Sequence, residues 1–220
     1  MTYARKFAAS LLVLVALLAV GAAGAMAADK IVKVGVTAPL TGPYAMWGRD
    51  TKAAIEMAFD AIGYKIGDYK FELVWIDDQS DPAKATNAFS EAVERKGITV
   101  AFYDVNSSVS VALLDVVAQY KIPLFFPLGA ADTINQKWLS DPKKYSYFGG
   151  KGWPMPQTLS QGYVECINDA VKKGLWKPPS KKVAIYGEDT DWGRSLGGEM
   201  AKGFEKGGWE IGRASCRERV

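Results

Sequence analysis

The chain has 220 residues, of which 49% are apolar and 23% charged, and this composition is typical of a globular protein. Its formal net charge of +3 includes +2 from residues 1–27 and +2 from residues 211–220, so the remainder carries −1 and gives no argument for a nucleic-acid partner. The sequence contains no histidine, which excludes serine–histidine catalysis and histidine-bound zinc from this segment.

The start of the chain has the three parts of a secretory signal peptide. Arg5 and Lys6 precede the apolar run "FAASLLVLVALLAV", and Ala25 and Ala27 complete an A-x-A cleavage site. A membrane anchor is the alternative interpretation, but the apolar run is shorter than the ~20 residues that a transmembrane helix needs. We therefore predict cleavage after Ala27 and a mature protein in the periplasm.

Strands and helices alternate after this signal. Apolar, β-branched runs predict strands at "IVKVGVTAPL", "YKFELVWID", "ITVAFYD" and "IPLFFP", with "KYSYFGG" as a further candidate. Helical spacing predicts helices at "RDTKAAIEMAFDAIG", "DPAKATNAFSEAVERKG", "SSVSVALLDVVAQY" and "DTINQKWL". The second of these helices has Asp81 as N-cap, Pro82 at its first position and Gly97 at its end. The alternation predicts an α/β fold with a parallel sheet flanked by helices.

The proline-containing stretch "GWPMPQ" interrupts this alternation. We predict a boundary there, between an N-terminal lobe at residues 28–152 and the start of a C-terminal lobe at residues 153–210. The second lobe is predicted to contain the helix "TLSQGYVECINDAVKKG", the strand "KVAIYG" and the helix "WGRSLGGEMAKGFEKG". Cys166, in the first of these helices, is predicted to be a small buried residue without a disulfide to Cys216.

The loops that follow the strands are the candidate sites, because ligands of open parallel sheets bind at the carboxyl ends of the strands. Asp77, Asp78 and Asp81 lie close together in "DDQSD". We interpret them as structural and not as calcium ligands, since the segment lacks the glycine and the distant glutamate of an EF-hand loop. "GEDTDWGRS" does not match a P-loop and no G-x-G-x-x-G follows the first strand, which disfavours a nucleotide-dependent enzyme.

Two further loops carry residues that could contact a ligand. Ser107 and Ser108 open the third helix, whose N–H groups could hold a carboxylate, although a serine that only caps its own helix gives the same pattern. Asn106 also begins the tripeptide "NSS", which fits the N-glycosylation pattern. Trp47 and Trp192 each precede a glycine at the entrance to a helix, where they serve either as packing or as a clamp on a ligand.

Four blocks of the sequence together resemble the leucine/isoleucine/valine-binding family of extracytoplasmic solute receptors for ABC transporters. The resemblance covers essentially residues 31–210, and its blocks are "VKVGVTAPLTGPYAMWGRDTKAAIEMAFDAI", "DDQSDPAKATNAF", "NSSVSVALLDVVAQYKIPLFFPLGA" and "KKVAIYGEDTDWGRSLGGEMAKGFEK". It implies a periplasmic-binding-protein type I clamp, whose two hinged lobes close on a small molecule and then dock on a membrane permease. It also implies a monomer without catalytic activity or a cofactor.

The resemblance assigns roles to five residues of this sequence. Ser107 corresponds to a ligand-binding serine, and Gly129 and Ala130 fall in the loop that holds the head group of an amino-acid ligand. Trp47 and Trp192 correspond to aromatic residues that the first and the second lobe contribute. The loop "PLGAAD" lacks the family's threonine, so amino acids, aromatic acids, amides and other small polar ligands all stay open.

The resemblance further implies that the chain stops inside its second lobe, since family members continue past Glu210. "EIGRASCRERV" resembles the translation of a sequencing-adapter oligonucleotide, and we interpret residues 211–220 as such a scar, without a strand pattern. Two alternatives to a transport receptor stay open. One is the ligand-sensing input domain of a signalling receptor with the same clamp, and the other is an NAD-dependent enzyme, which the missing glycine fingerprint opposes.

Overall fold

The computed structural model describes residues 30–102 and 105–215. The predicted signal peptide and its cleavage site therefore lie outside the described residues, as does the end of the chain from Cys216 onwards. Within the described ranges, no helix combines the length and the apolar character that crossing a bilayer requires.

A six-stranded sheet forms the first region of the molecule. Its strands are β1 (Lys30–Ala38), β2 (Lys65–Ile66), β3 (Tyr69–Asp77), β4 (Val100–Phe102), β5 (Leu124–Phe126) and β6 (Phe148–Lys151), in the order β2-β3-β1-β4-β5-β6. All neighbours are parallel except β2, which pairs antiparallel with β3. The predicted α/β fold with a mostly parallel sheet is confirmed.

Four helices connect these strands. They are α1 (Ala45–Ala61), α2 (Pro82–Glu91, continued by a π-helical turn at Ala92–Lys96), α3 (Ser107–Tyr120) and α4 (Asp132–Ser140). The predicted cap of α2 is confirmed, because the Asp81 carboxylate accepts hydrogen bonds from the N–H groups of Ala83 (2.8 Å) and Lys84 (2.9 Å). The helical segment ends at Gly97, whose φ of 72° is the left-handed conformation that glycine adopts readily.

The apolar core of the first region lies between the sheet and helices α2 and α3. Its largest fully buried side chains include Phe89 from α2, Leu113 and Leu114 from α3, and Leu124 and Phe126 from β5. These positions follow helical spacing on the helices and alternate on β5, as a core that is shared between layers requires. The core fixes the ends of the strands, and hence the loops that follow them.

A second region comprises α5 (Pro156–Lys172), β7 (Lys182–Gly187), α6 (Asp191–Lys206) and β8 (Glu210–Ser215). Strands β7 and β8 form a separate two-stranded parallel sheet. The expectation that no strand continues past Glu210 is wrong, because Ile211 pairs with Val183 and packs against the cluster of Val164, Phe204 and Trp209. The origin of residues 211–220 and the lobe boundary at residue 153 stay predictions.

Cys166 is exposed, contrary to its predicted burial. The buried residues of α5 are Pro156, Ser160 and Val164, which form one stripe at helical spacing. Cys166 comes two positions after Val164 and lies outside that stripe, so its side chain does not face α6, the helix that α5 packs against. The apolar pattern of this helix was too sparse for the sequence alone to set the phase of its buried face.

Candidate functional site

A cleft of about 400 Å³ lies where the loops after the parallel strands meet the second region. The first region lines it through the loops after β1, β3, β4 and β5, and the segment after β6 contributes one residue. The second region lines it through the loop after β7 and the start of α6. The lining residues are Tyr44, Trp47, Ser80, Val105, Asn106, Ser107, Leu128, Ala130, Trp153, Glu188, Thr190 and Trp192. Of the five predicted site residues, Trp47, Ser107, Ala130 and Trp192 line this cleft.

Ser107 is the first residue of α3 and is only 4% exposed. Its Oγ accepts hydrogen bonds from the N–H groups of Ala130 and Ala131, each at 3.2 Å. A serine hydroxyl has two acceptor positions and one hydrogen, so these bonds leave the hydroxyl hydrogen to donate. A ligand group that meets Ser107 must therefore be an acceptor, such as a carboxylate oxygen.

The cap of α3 is Asn106 and not a serine. Its side-chain oxygen accepts a hydrogen bond from the N–H of Ser108 at 3.0 Å, and its extended backbone is that of an N-cap residue. Because Asn106 supplies the cap, the hydroxyl of Ser107 is not used for this purpose. The reading of Ser107 as no more than a helix cap is therefore wrong.

The loop after β5 was predicted to hold the ligand through its backbone, but part of that backbone is bonded within the protein. Ala130 lines the cleft, but its N–H donates to Ser107 and its carbonyl accepts from Lys151 Nζ at 2.9 Å, so its backbone is engaged within the protein. Gly129 is not among the lining residues. A Cβ atom at Gly129 would lie 2.6 Å from Ser110 Oγ, so this glycine allows the loop to approach α3 closely.

Lys151 fixes the same loop through its backbone carbonyl groups. Its Nζ donates to the carbonyls of Ala130 (2.9 Å) and Ala131 (3.3 Å). Burial lowers the pKa of Lys151 and outweighs the nearby Asp132, which raises it. Lys151 and Ser107 thus fix the same short segment from its two sides, which gives the cleft wall a defined position.

Three indole side chains surround the cleft. Trp47 is 55% exposed on α1, Trp153 is 43% exposed after β6, and Trp192 is half-buried on α6. Large exposed aromatic side chains that converge on one cavity offer apolar cover to a bound molecule. The structure brings Trp47 and Trp192 to one cleft and adds Trp153, which the sequence analysis did not single out.

The two regions are joined across the cleft by a hydrogen bond. The Tyr44 hydroxyl, at the start of α1, donates to Glu188 Oε2 at 3.1 Å. Thr190 donates to Glu188 Oε1 at 2.9 Å and also accepts a bond from the N–H of Gly193 at 3.1 Å, which caps α6. Glu188 is thereby oriented from both regions.

The acidic loop after β3 has a structural role at the edge of the cleft. The Asp77 carboxylate accepts bonds from the N–H groups of Leu40 (2.9 Å) and Thr41 (3.1 Å) and from the Thr41 hydroxyl (2.6 Å), which ties the first loop to the second. Asp78 is fully buried, and its Oδ1 accepts from the N–H of Ser80 at 2.7 Å. Burial raises the pKa of Asp78 to about 6 against the lowering effect of that hydrogen bond.

Sequence reasoning missed several lining residues, of which Tyr44, Ser80, Trp153, Glu188 and Thr190 carry polar or aromatic groups. Tyr44 was detectable, because it lies three positions before Trp47 and hence on the same face of the first helical turn. Glu188 and Thr190 lie inside the quoted loop "GEDTDWG". The hydrogen bond between Tyr44 and Glu188 joins residues 144 positions apart, and no local sequence pattern predicts it.

The sequence model of the family described as "Periplasmic binding protein" matches residues 31–215. The chain belongs to the periplasmic binding protein family. The matched range includes all of β8 and the cleft residues described above. The family assignment accounts for a cleft that is lined from two regions by loops at the carboxyl ends of parallel strands.

Named relatives agree with this assignment. The Leu/Ile/Val-binding protein homolog 6 of Brucella abortus (strain 2308) is 34% identical over 119 residues, which cover 53% of this chain and 30% of the relative. The Leu/Ile/Val-binding protein homolog 3 of Brucella melitensis biotype 1 is 28% identical over 192 residues, which cover 86% of this chain and 47% of the relative. The chain thus spans about half, or less, of the length of the curated relatives that it matches.

Solved structures share the fold of this periplasmic binding protein. A leucine-binding protein from Thermotoga maritima MSB8 superposes with a TM-score of 0.70 at 19% identity, over 86% of this chain and 50% of that one. A solute-binding protein of an ABC transporter from R. palustris, in complex with 4-hydroxybenzoate, superposes with a TM-score of 0.68 at 23% identity, over 86% and 47%. The two-lobed α/β fold predicted from the sequence is confirmed.

Proposed function

We propose that this periplasmic binding protein captures a small carboxylate in the cleft between its two regions and delivers it to an ABC permease in the membrane. The observation that carries the proposal is the bonding of Ser107. Both acceptor positions of its hydroxyl are occupied by Ala130 and Ala131, so only a donor is presented to the cleft. The start of α3 adds the positive end of a helix dipole at the same wall.

The remaining lining supports a ligand with an apolar body. Trp47, Trp153 and Trp192 surround the cavity, while Val105 and Leu128 contribute aliphatic surface. A cavity of about 400 Å³ has the size of a small-molecule site. Relatives are named as Leu/Ile/Val-binding proteins, and one structural neighbour holds 4-hydroxybenzoate. Branched-chain amino acids and aromatic acids are therefore the two ligand classes to test first.

Export to the periplasm and binding without catalysis are part of the same proposal. The family description and the tripartite start of the sequence both support the location. A monomer without a cofactor, which carries its ligand to a permease, remains our expectation. The alternative, a sensor input domain with the same clamp, would require a transmembrane helix and a signalling domain in the same gene, whereas neighbouring permease and ATPase genes would support transport.

Substitution at Ser107 tests the proposal. In the full-length protein, Ser107→Ala should weaken the binding of leucine or of 4-hydroxybenzoate, whichever binds, by about 1–3 kcal/mol, because the ligand's acceptor loses its buried donor. Isothermal titration calorimetry measures the change. Ser140→Ala is the matched control, since the Ser140 hydroxyl donates to the carbonyl of Lys137 on α4, away from the cleft. An unchanged affinity in Ser107→Ala would overturn the proposed role of Ser107.

The contribution of the second region is tested by Trp192→Ala, which should weaken binding by a similar or larger amount. It should also reduce the ligand-dependent change in tryptophan fluorescence, because one of the three indoles that line the cleft no longer contacts the ligand. Trp176→Ala is the matched control, since Trp176 is 45% exposed and stacks on Trp209 outside the cleft. A full fluorescence response in Trp192→Ala would mean that this indole is only packing.

A further inference from the structure

We propose that Glu188 forms a second polar subsite in the cleft, which accepts a hydrogen bond from a hydroxyl or ammonium group at the end of the ligand opposite its carboxylate. This inference rests on the proposed function, because it assumes a carboxylate held at the Ser107 wall. It adds a residue from the second region that selects among carboxylates. The preferred class is a small acid with a hydrogen-bond donor at its far end.

The bonding of Glu188 leaves room for such a donor. A carboxylate offers about four acceptor positions on its two oxygens. Tyr44 uses one position on Oε2, and Thr190 uses one on Oε1. The Glu188 side chain is exposed at the cleft wall, so a ligand donor can reach the remaining positions. The two existing bonds hold the carboxylate in a fixed orientation, which lowers the entropic cost of binding a donor.

Charge makes this subsite selective. Among the cleft-lining residues in the part of the chain that the structure describes, Glu188 is the one with a formal charge. The nearby Arg194 does not neutralise it, because its guanidinium is engaged by Asp189 (2.7 Å) and Asp191 (3.3 Å). A ligand that covers Glu188 with apolar atoms removes water from a carboxylate without replacing its hydrogen bonds, and this is unfavourable. A donor replaces the lost water.

The two walls of the cleft therefore have opposite character. The first region presents the Ser107 hydroxyl hydrogen at the start of α3, and the second region presents the Glu188 carboxylate. A molecule with an acceptor at one end and a donor at the other satisfies both walls and brings the two regions together. A molecule with acceptors at both ends leaves Glu188 facing a like charge or an unpaired acceptor.

Two matched pairs of probes test the inference on the full-length protein. The pairs are benzoate with 4-hydroxybenzoate, and hexanoate with 6-aminohexanoate. In each pair only the second member has a donor at the far end. We expect the wild-type protein to prefer the donor-bearing member of at least one pair by on the order of tenfold in Kd, the size of effect associated with a hydrogen bond to a charged group.

Glu188→Leu should reduce this preference to about onefold, because it keeps side-chain bulk and removes every acceptor. Tyr44→Phe is the comparison variant, since it removes the bond between the regions but leaves the Glu188 carboxylate in place. We expect Tyr44→Phe to weaken both members of a pair to the same extent and to retain the preference. Thermal unfolding of both variants verifies that they fold.

The outcomes separate this inference from the proposed function. If the wild-type protein binds none of the four carboxylates or leucine, the proposed function and the inference both fail. If carboxylates bind but the wild-type protein shows no preference, or Glu188→Leu retains it, the subsite is overturned and the proposed function stands. Equal weakening of both members by Glu188→Leu would make Glu188 a closure contact only, which also overturns the subsite.

Discussion

The two regions of this periplasmic binding protein bury their apolar residues to different extents. In the first region, Phe89, Leu113 and Phe126 are each 0% exposed and belong to a continuous core between sheet and helices. In the second region, the buried cluster consists of Val164, Phe204 and Trp209, at 6%, 1% and 5% exposure. Strand β7 contains no buried residue, and its Tyr186 is 72% exposed.

Within the described residues, the side-chain packing contacts of the second region run mainly between its two helices. Helices α5 and α6 approach closely, because a Cβ atom at Gly203 would lie 3.0 Å from Val164 Cγ2. The indole N–H of Trp209 donates to Asn168 on α5 at 2.9 Å, and its ring meets Phe204 edge to face. Within the described residues, the second region therefore packs mainly through its helix pair, with Val183 and Ile211 of its sheet partly buried against it, whereas the first region has a continuous core on its sheet.

The largest expected effect comes from truncating one phenylalanine in each region. Phe89→Ala should destabilise the protein by about 3–5 kcal/mol, because it leaves a cavity in a core that cannot collapse around it. Phe204→Ala removes the same atoms from a cluster beside open surface, so its neighbours can move into the space and the loss should be smaller. Urea unfolding of the 220-residue chain measures both differences.

Hydrogen exchange assigns these losses to their regions. We expect Phe89→Ala to accelerate exchange throughout β1, β4 and β5, whereas Phe204→Ala accelerates it only in α5, α6 and β7. Equal losses of stability, together with exchange that rises in both regions for either variant, would contradict the comparison. The molecule would then unfold as one cooperative unit.

The sequence predicted those parts of the fold that local signals specify. The bounds of α3 and β7 agree with the predicted "SSVSVALLDVVAQY" and "KVAIYG", and Asp81 and Gly97 mark the ends of the second helical segment as expected. Helical spacing, a capping carboxylate and a left-handed glycine are short-range features. Helix α1 begins at Ala45, whereas the predicted helix begins at Arg49. The prediction missed the first turn because its aromatic and small residues resemble those of a loop.

The site was only partly predictable, because its decisive contacts join distant parts of the chain. The resemblance assigned five residues to the site, and all of them except Gly129 line one cleft. The donor-only state of Ser107, however, depends on amides more than twenty positions away. The bridge from Tyr44 to Glu188 depends on how the two regions meet. Side-chain identity indicates which groups can bond, and tertiary packing decides which of them do.

A second difference between the regions concerns a buried carboxylate in the first. Burial raises the pKa of Asp78 to about 6 from its ordinary value of 3.8, so the folded protein keeps a proton that the unfolded chain loses. Unfolding free energy should therefore fall as the pH rises from about 4 to about 6, by roughly 2–3 kcal/mol, and stay at that lower level at higher pH. Asp78→Asn should remove this step, since an amide oxygen still accepts from Ser80 and does not titrate.

Urea unfolding of wild type and Asp78→Asn at a series of pH values measures the step. Asp81→Asn is the control, because Asp81 is a surface cap whose amide replacement also accepts the bonds from Ala83 and Lys84. A step that persists unchanged in Asp78→Asn would mean that another group binds the proton. In hydrogen exchange, the same pH-dependent loss of protection should appear in β1 and β3 and should be absent from the second region.

The smallest expected effect compares surface ion pairs of the two regions. Burial raises the pKa of Asp115, but hydrogen bonds from Lys137 (2.6 Å), Lys144 (2.7 Å) and Tyr145 (2.9 Å) outweigh it and hold the pKa at about 2. Because the folded pKa lies below the ordinary 3.8, Asp115 contributes stability above about pH 4, and this is lost as the pH falls through about 2.

The Asp115 carboxylate is half exposed, so Asp115→Asn should cost only about 0.5–1 kcal/mol at pH 7. Glu199→Gln in the second region, which loses a single bond from Lys202, should cost less. Urea unfolding at pH 7 and at pH 3 measures both variants, and an equal loss in each would show that the three donors around Asp115 do not act together.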